Sequence, residues 1–432
     1  MDEKIKPSIT ALLPLVVFLG IYLLGSIIAG DFYKIPITIA GMAASIVAIT
    51  MTRRPLSQSI GDYSRGATDV NIMLMIWIFV LAGAFAASTK AMGAVDATVS
   101  MTMRLVPEQF LPAGIFLAAC FTSFSVGTSV GTIVALTPIA SAMAEQTGAN
   151  NPWMVAIVVG GAFFGDNLSF ISDTTIAATR TQGCSMRDKF RTNLRIVAPA
   201  AIITLLIYMF FDQGALSYSA EGVSSAPWYT ILPYILVMVM AIAGVNVLGV
   251  LTMGILSSGI IGLLCGRLTI LDWLSTMGEG IDSMGQLIII TMMAGGMLEM
   301  IRINGGVDYI IQTITSRIRS RRGAEFSIAA LVAFADICTA NNTVAIISVG
   351  SIVREIAQRF GISPQRAASL LDTSSCFVQA IIPYGAQLLM AAGLAAISPV
   401  EIIGYLYYPM VMGACAVFAI IIQWPRYGRA KR

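Results

Sequence analysis

The chain has 432 residues, of which 57% are hydrophobic and 11% charged, with a mean hydropathy of +0.82. Soluble domains carry roughly 25% charged residues, so this composition excludes an ordinary soluble fold. The net charge of +3 gives no ground for a nucleic-acid partner.

In chain order, apolar runs near membrane-spanning length fall at Ile9–Gly30, Ile35–Met51, Val70–Ala87, Ile196–Phe211, Pro227–Ala243, Val245–Cys265, Leu287–Ile301 and Ile402–Trp424. A bilayer core takes about 20 apolar residues in a helix. Runs rich in leucine, alanine and methionine read as helices, not as the alternating ten-residue strands of an outer-membrane barrel. The first run is too long for a signal-peptide core and has no convincing cleavage site, so it reads as the first span. The expected fold is an all-α polytopic membrane protein, residues 1–432 forming a single membrane domain. The six cysteines are scattered with no CxxC and read as small packing residues. The chain has no histidine, which leaves carboxylates, and behind them cysteine or lysine, to carry protons near neutral pH. No cofactor is expected.

The chain matches itself at a shift of about 212 positions. "LAGAF" (81–85) pairs with "MAGGM" (293–297), and "MGAVD" (92–96) with "NGGVD" (304–308). "TPIASAMAEQTG" (137–148) pairs with "GSIVREIAQRFG" (350–361), one residue out of step. The expected repeats are 31–212 and 244–424. Charge suggests that they are inverted, because basic loops stay cytoplasmic. Arg53, Arg54 and Arg65 follow the second span, whereas the corresponding loop 266–285 carries Asp272, Glu279 and Asp282. The next pair switches: 90–107 is poor in arginine, and 301–323 holds Arg302, Arg317, Arg319, Arg321 and Arg322. Lys4, Lys6 and the tail "RYGRAKR" place both termini in the cytoplasm. An odd number of crossings per repeat fits, with five expected. Inverted repeats with a site at their interface are typical of secondary transporters.

Two pairs of segments read poorly as continuous helix. "FTSFSVGTSVGT" (121–132) and "FADICTANNTVA" (334–345) correspond at the repeat shift. Their glycines and tandem asparagines are poor helix formers. Thr128 and Ser129 fall opposite Asn341 and Asn342. The second pair is "FFGDNLSFISDTT" (163–175) and "AIIPYGAQ" (380–387), the latter broken at Pro383 and Gly385. Matching broken helices are the best sequence pointer to a transport site.

Five acids sit at membrane depth: Asp166, Asp173, Asp336, Asp372 and, at its margin, Glu299. A charge at the bilayer centre costs at least about 2.5–3.5 kcal/mol on insertion scales. Asp173 reads as a helix cap or a ligand, and so does Asp372 in "SLLDTSS". In one helix, Asp166 and Asp173 would lie about 10 Å apart along the axis, so a break is needed to join them in one pocket. Such an anionic pocket can hold either Na⁺ or a proton, which is the simplest basis for exchange. No lysine and few arginines are expected in the core; "SMRDKFRTNLR" (185–195) reads as a cytoplasmic connector helix.

The "GDNLSFISDTT" segment resembles the GD-x-x-S-P-x-SDTT signature of the NhaC family of Na⁺/H⁺ antiporters. Gly165, Asp166, Ser169, Ser172, Asp173, Thr174 and Thr175 match, and Phe170 stands where that family has proline. The resemblance implies the wider ion-transporter superfamily, with two inverted five-helix repeats, a scaffold, a moving transport part and often a homodimer. "GTS" (127–129) and "NNT" (341–343) resemble that superfamily's substrate- and sodium-binding loops. The expected activity is Na⁺/H⁺ exchange in the cell membrane, with Asp166 and Asp173 carrying Na⁺ or protons. Ser172, Thr174, Asp336, Asn341, Asn342, Thr128, Ser129 and Asp372 complete or flank the site. The alternative is Na⁺- or H⁺-coupled transport of a small organic solute, an amino acid or a carboxylate. A channel fits interrupted inverted repeats less well, and no nucleophile–base pair suggests an enzyme.

Overall fold

The computed structural model describes residues 7–25, 28, 36–52, 54–105, 107, 110–169, 172–210, 227–243, 245–316 and 318–425. Lys4, Lys6, Arg53, Phe170, Arg317 and the tail 426–432, used in the sequence reading, lie outside the described residues.

Among the described residues all regular structure is helical. The first half comprises α1 (Leu13–Leu19), α2 (Ile37–Thr50), α3 (Leu56–Ala67), α4 (Val70–Ala91), α5 (Ala94–Leu105), α6 (Leu111–Val126), α7 (Ser129–Thr147), α8 (Asn151–Leu168), α9 (Asp173–Gln182) and α10 (Met186–Phe210). The second comprises α11 (Leu232–Ile242), α12 (Val247–Leu264), α13 (Ile270–Ser283), α14 (Gly285–Ile303), α15 (Gly306–Thr315), α16 (Arg321–Thr339), α17 (Asn342–Phe360), α18 (Pro364–Ile381), α19 (Ala386–Ala395), α20 (Pro399–Ile403) and α21 (Tyr407–Ile421). Six helical segments among the described residues are long and apolar enough to cross a membrane: Ile72–Ala91, Asn151–Gln182, Met186–Phe210, Val247–Leu264, Ile270–Ile303 and Pro364–Ala395.

Helix ends recur along the chain. Ser129 and Asn342 open α7 and α17, Asn151 and Pro364 open α8 and α18, and Asp173 and Ala386 open α9 and α19, each pair 213 positions apart. The left-handed residues that close the preceding helices keep the same spacing: Gly127 with Ala340, Gly148 with Gly361, and Gly183 with Ala396. A left-handed residue at the helix end satisfies terminal carbonyls and reverses the chain, so these positions set where each helix stops.

Packing is reciprocal. α6 lies along α8 as α16 lies along α18; α9 packs on α17 as α19 packs on α7; α4 packs on α12 and α13 as α14 packs on α2 and α3. α8 and α18 touch one another. Two glycine pairs allow backbone-to-backbone approach at the outer crossings, Gly66 against Gly295 and Gly83 against Gly280. Small residues at helix crossings are the usual means of close packing in membranes.

These crossings correct part of the sequence reading. The stretches 53–65, 266–285, 90–107 and 301–323 were expected to be loops, yet they contain α3, α13, α5 and α15. In α3 the buried residues are Ser59, Asp62, Gly66 and Ala67, and in α13 Gly280, while Leu56, Ile60, Leu271 and Leu274 stay exposed, so these helices pack mainly through small residues. The start of α13 shows the local cause: Thr269 and Asp272 form a reciprocal capping box, satisfying two terminal N–H groups.

The main core runs around α8 and α18 and includes Phe18, Phe85, Trp153, Phe163, Tyr208 and Tyr408. A second cluster joins α9, α16, α17 and α18 through Ala178, Ile328, Val349 and Leu371. Large apolar side chains such as Ile46, Trp77, Phe121, Ile202 and Phe418 point outward. Apolar interior and apolar exterior together are what a lipid-facing bundle requires.

Candidate functional site

α8 is buried on nearly every face, which marks a core helix rather than an amphipathic one. It starts at Asn150, whose side chain accepts from the Trp153 N–H at 3.0 Å. It ends where Ser169 turns extended (ψ 142°). Asp166 lies in its last turn, 5% exposed. Its Oδ1 accepts from the Ser172 hydroxyl at 2.6 Å and its Oδ2 from the Ser129 hydroxyl at 3.0 Å. The Ser172 and Thr174 hydroxyls are 2.7 Å apart. The carboxylate therefore faces hydroxyl oxygens from the start of α9 and the start of α7, and it makes no ion pair among the described residues. The two helix breaks of the first half meet at this acid.

A chain of hydrogen bonds continues into the second half. Ser129 Oγ accepts from Gln387 Nε2 at 3.1 Å, and Gln387 Oε1 accepts from Gln379 Nε2 at 2.8 Å. Gln379 Nε2 also donates to the Ala340 carbonyl at 3.2 Å. Gln379 follows Asp166 by 213 positions and Gln387 follows Thr174 by the same interval. The sequence reading held Gln387 only as the end of the broken segment 380–387 and did not name Gln379; the repeat shift applied to Asp166 and Thr174 is the signal that finds both.

The other expected site residues divide by what they touch. Asp336, in the last turn of α16, is fully buried, and neither carboxylate oxygen has a hydrogen-bond partner. Asn341 Oδ1 accepts from the Val344 N–H at 3.0 Å and so caps α17. Asn342 Oδ1 accepts from the Thr343 N–H at 3.0 Å, while its Nδ2 is buried without a partner. Thr128 is the extended residue between α6 and α7. Its carbonyl accepts from Thr132 at 3.2 Å.

Asp173 is exposed and opens α9 as its first helical residue. Negative charge suits a helix N-terminus, but Ser172 holds the cap position. Among the described residues no hydrogen bond joins the two carboxylates; Ser172 stands between them in sequence and bonds Asp166 alone. Glu299 lies near the end of α14 and is held bidentately by Arg302, with both contacts at 2.7 Å.

Two expectations are corrected here. Asp372 is not a cap: it lies inside α18, where its Oδ2 contacts Lys189 Nζ at 2.5 Å and accepts from Asn193 Nδ2 at 2.8 Å. Nor is the core free of lysine. The stretch 185–195, read as a cytoplasmic connector, opens α10, and Lys189 is 1% exposed. Its ammonium also donates to the Asn167 carbonyl and the Thr175 hydroxyl, each at 2.7 Å. Lys189 thus ties the end of α8 and the first turn of α9 to α18. A second buried pair, Glu325 with Arg366 at 2.9 Å, joins α16 to α18.

Broken helices around a buried, hydroxyl-lined carboxylate, in a bundle with lipid-facing flanks, define a helical membrane carrier. The Na⁺/H⁺ antiporter family model matches residues 6–213 and 214–424, and the chain belongs to that family. The family is one of transporters, not enzymes; its members are multi-pass membrane proteins whose transported ions are Na⁺ and H⁺. The chain is similar to the Na⁺/H⁺ antiporter NhaC of Alkalihalophilus pseudofirmus, 23% identical over 400 residues that span 82% of this chain and 83% of that one. It is 26% identical over 200 residues to a malate-2H⁺/Na⁺-lactate antiporter of Bacillus subtilis, spanning 46% of this chain and 42% of that one. A 124-residue stretch, 28% of this chain, is 36% identical to a Haemophilus influenzae protein and spans 24% of its length.

Proposed function

We propose that this chain exchanges Na⁺ for H⁺ by alternating access, with Asp166 as the group that carries either ion. The observation that carries this reading is Asp166 itself: a buried carboxylate that makes no ion pair among the described residues, at the meeting point of two helix breaks and facing Ser129 and Ser172. Carboxylate and hydroxyl oxygens suit a hard cation, and the ends of interrupted helices are where carriers hold Na⁺ and H⁺. One carboxylate that takes Na⁺ or a proton, never both, couples the two flows by competition. Thr174 supports the pocket through Ser172, and Asp173 stands at its exposed rim.

The recurrence of helix ends at 213 positions and the reciprocal packing support two repeats, 31–212 and 244–424. The arginine distribution supports an inverted arrangement with both termini cytoplasmic, in a bacterial-type inner membrane. A homodimer follows from the superfamily resemblance alone. Coupling to an organic solute is not favoured, since the match to the malate-2H⁺/Na⁺-lactate antiporter spans less than half of this chain.

The test uses purified protein in liposomes containing a pH-sensitive dye. An outward Na⁺ gradient should acidify the lumen, Asp166→Asn should abolish the signal and Asp173→Asn should retain most of it. Absence of Na⁺-driven proton movement in the wild type, or an unchanged rate in Asp166→Asn, would refute the proposal.

A further inference from the structure

Lys189 and the groups around it have no polar counterparts at the repeat interval of 213 positions. The first half carries Asn167, Thr175, Lys189 and Asn193 where the second carries Ala380, Leu388, Ile402 and Leu406, and Asp372 of the second half stands opposite Val159 of the first. All five apolar counterparts are buried. Apolar side chains therefore fill the equivalent places without charge, and a buried ion pair adds little to stability that well-packed apolar residues would not. The break braced by this pair is the one that carries a carboxylate, Asp166; the matching position in the other half is Gln379.

The contacts of Lys189 show what the pair adds. An ammonium has three N–H donors, and here they meet the Asn167 carbonyl, the Thr175 hydroxyl and Asp372 Oδ2. Asn167 follows Asp166 in the last turn of α8, where helix geometry leaves carbonyls without an intrahelical donor. The Asn193 amide donates to the same carbonyl at 3.1 Å. Thr175 lies in the first turn of α9, next to Thr174. One ammonium thus holds both sides of the break across which the Ser172 hydroxyl reaches Asp166 at 2.6 Å, and Asp372 anchors that ammonium to α18.

We infer that Lys189 and Thr175 are positioning residues for the ion site: the clamp they form fixes Asp166 against Ser172 and thereby sets the affinity for Na⁺, with neither side chain touching the ion. A binding site works only when its oxygens are held to within about 0.5 Å of their working positions, a task that falls to the groups behind them. The ammonium has donors alone and repels a cation, so it is no ligand. The Thr175 oxygen already accepts from that ammonium. The inference rests on the exchange proposal for the identity of the ion.

The test is the Na⁺ dependence of exchange by the full chain in liposomes. Thr175→Val keeps the side-chain shape and the Lys189–Asp372 pair but removes the α9 end of the clamp; Thr175→Ser restores the hydroxyl. Thr175→Val should raise the KM for Na⁺ about tenfold, the usual order when a group that orients a metal ligand is lost, and keep the maximal rate. Thr175→Ser should return KM to the wild-type value. A residue that serves stability alone would lower the number of active carriers, hence the maximal rate, and leave KM unchanged. Lys189→Met/Asp372→Leu strands no charge and should show the same rise in KM. Hydrogen exchange of the segment 163–176 in Na⁺-free choline buffer reads the clamp without the ion: Thr175→Val should exchange faster there, and Thr175→Ser as the wild type does. An unchanged KM in Thr175→Val, a rise that Thr175→Ser does not reverse, or a loss of maximal rate alone would overturn the inference. A wild type that moves no protons under a Na⁺ gradient would refute the exchange proposal instead. In that event, equal protection of the segment in Thr175→Val and wild type would overturn the clamp too, and faster exchange in Thr175→Val would support it.

Discussion

Replacing Lys189 with methionine tests whether the pair it makes with Asp372 holds the two halves together. The pair is 1% and 0% exposed, so solvent screening does not reduce its contribution. Removing one partner of such a pair costs about 3–5 kcal/mol, because the remaining charge is stranded. In Lys189→Met, Asp372 keeps the Asn193 amide at 2.8 Å and a weak Cys376 thiol contact at 3.9 Å. That places the loss near the lower end, about 3 kcal/mol. Asp372→Leu leaves the ammonium with two acceptors at 2.7 Å, the Asn167 carbonyl and the Thr175 hydroxyl, and should cost less. The double variant strands no charge, and apolar replacement of a whole buried pair is often neutral. It should therefore be more stable than Lys189→Met alone. Reversible unfolding in mixed detergent–SDS micelles, followed by tryptophan fluorescence, gives all three values. A Lys189→Met cost below about 1 kcal/mol, or a double-variant cost equal to the sum of the singles, would refute the assignment.

Three further outcomes follow from the same geometry. Gly165→Ala would drive a methyl into the backbone of Ser123 and Phe124 at the α6–α8 crossing, costing about 3 kcal/mol, whereas Gly148→Ala meets open space and pays only for its left-handed φ of 70°, about 1–2 kcal/mol; the reverse ranking in the unfolding assay would contradict this. Ala340 holds φ 47° where its counterpart is Gly127, so Ala340→Gly should stabilise by about 0.5–1 kcal/mol, and a measured loss would count against strain there. Arg366→Ala strands Glu325, with Arg321 only 3.8 Å away to compensate in part, and should cost about 3 kcal/mol. The Arg54–Asp62 pair provides the contrast, because Arg54 is 43% exposed and Arg65 also holds Asp62 at 2.9 Å: Arg54→Ala should cost at most about 1 kcal/mol, and equal costs for Arg54→Ala and Arg366→Ala would undo the distinction.

The helix breaks were legible because glycine, tandem asparagine and proline interrupt apolar runs, and the structure places them at Gly127–Thr128, Ala340–Asn341, after Leu168 and at 382–385. Asp166 was legible as a charge where charge is costly. Its separation from Asp173 was not, because seven residues across a break leave their relative position open. Lys189 was missed because charged neighbours made its stretch look like a surface connector. The stripe Lys189, Asn193, Ile196, Val197 and Ala200 at intervals of three and four, all buried in α10, carried the contrary signal. The outer helices α3, α5, α13 and α15 were read as loops because of their charged residues, and the small residues that seat α3 and α13, Gly66 and Gly280, carry no hydropathy signal. Gln379 and Gln387 are uncharged and attract no notice until the repeat is applied to Asp166.

The exchange of seats between short helices, α9 resting on α17 and α19 on α7, has a mechanical consequence. Neither hairpin can travel without carrying the other's support, and Lys189 bolts the first to α18 besides. The interior of the molecule consequently behaves as one shuttle, not as two independent gates. A displacement of Asp166 at the end of α8 would draw α9 with it through the Lys189 contacts, and α17 with α9.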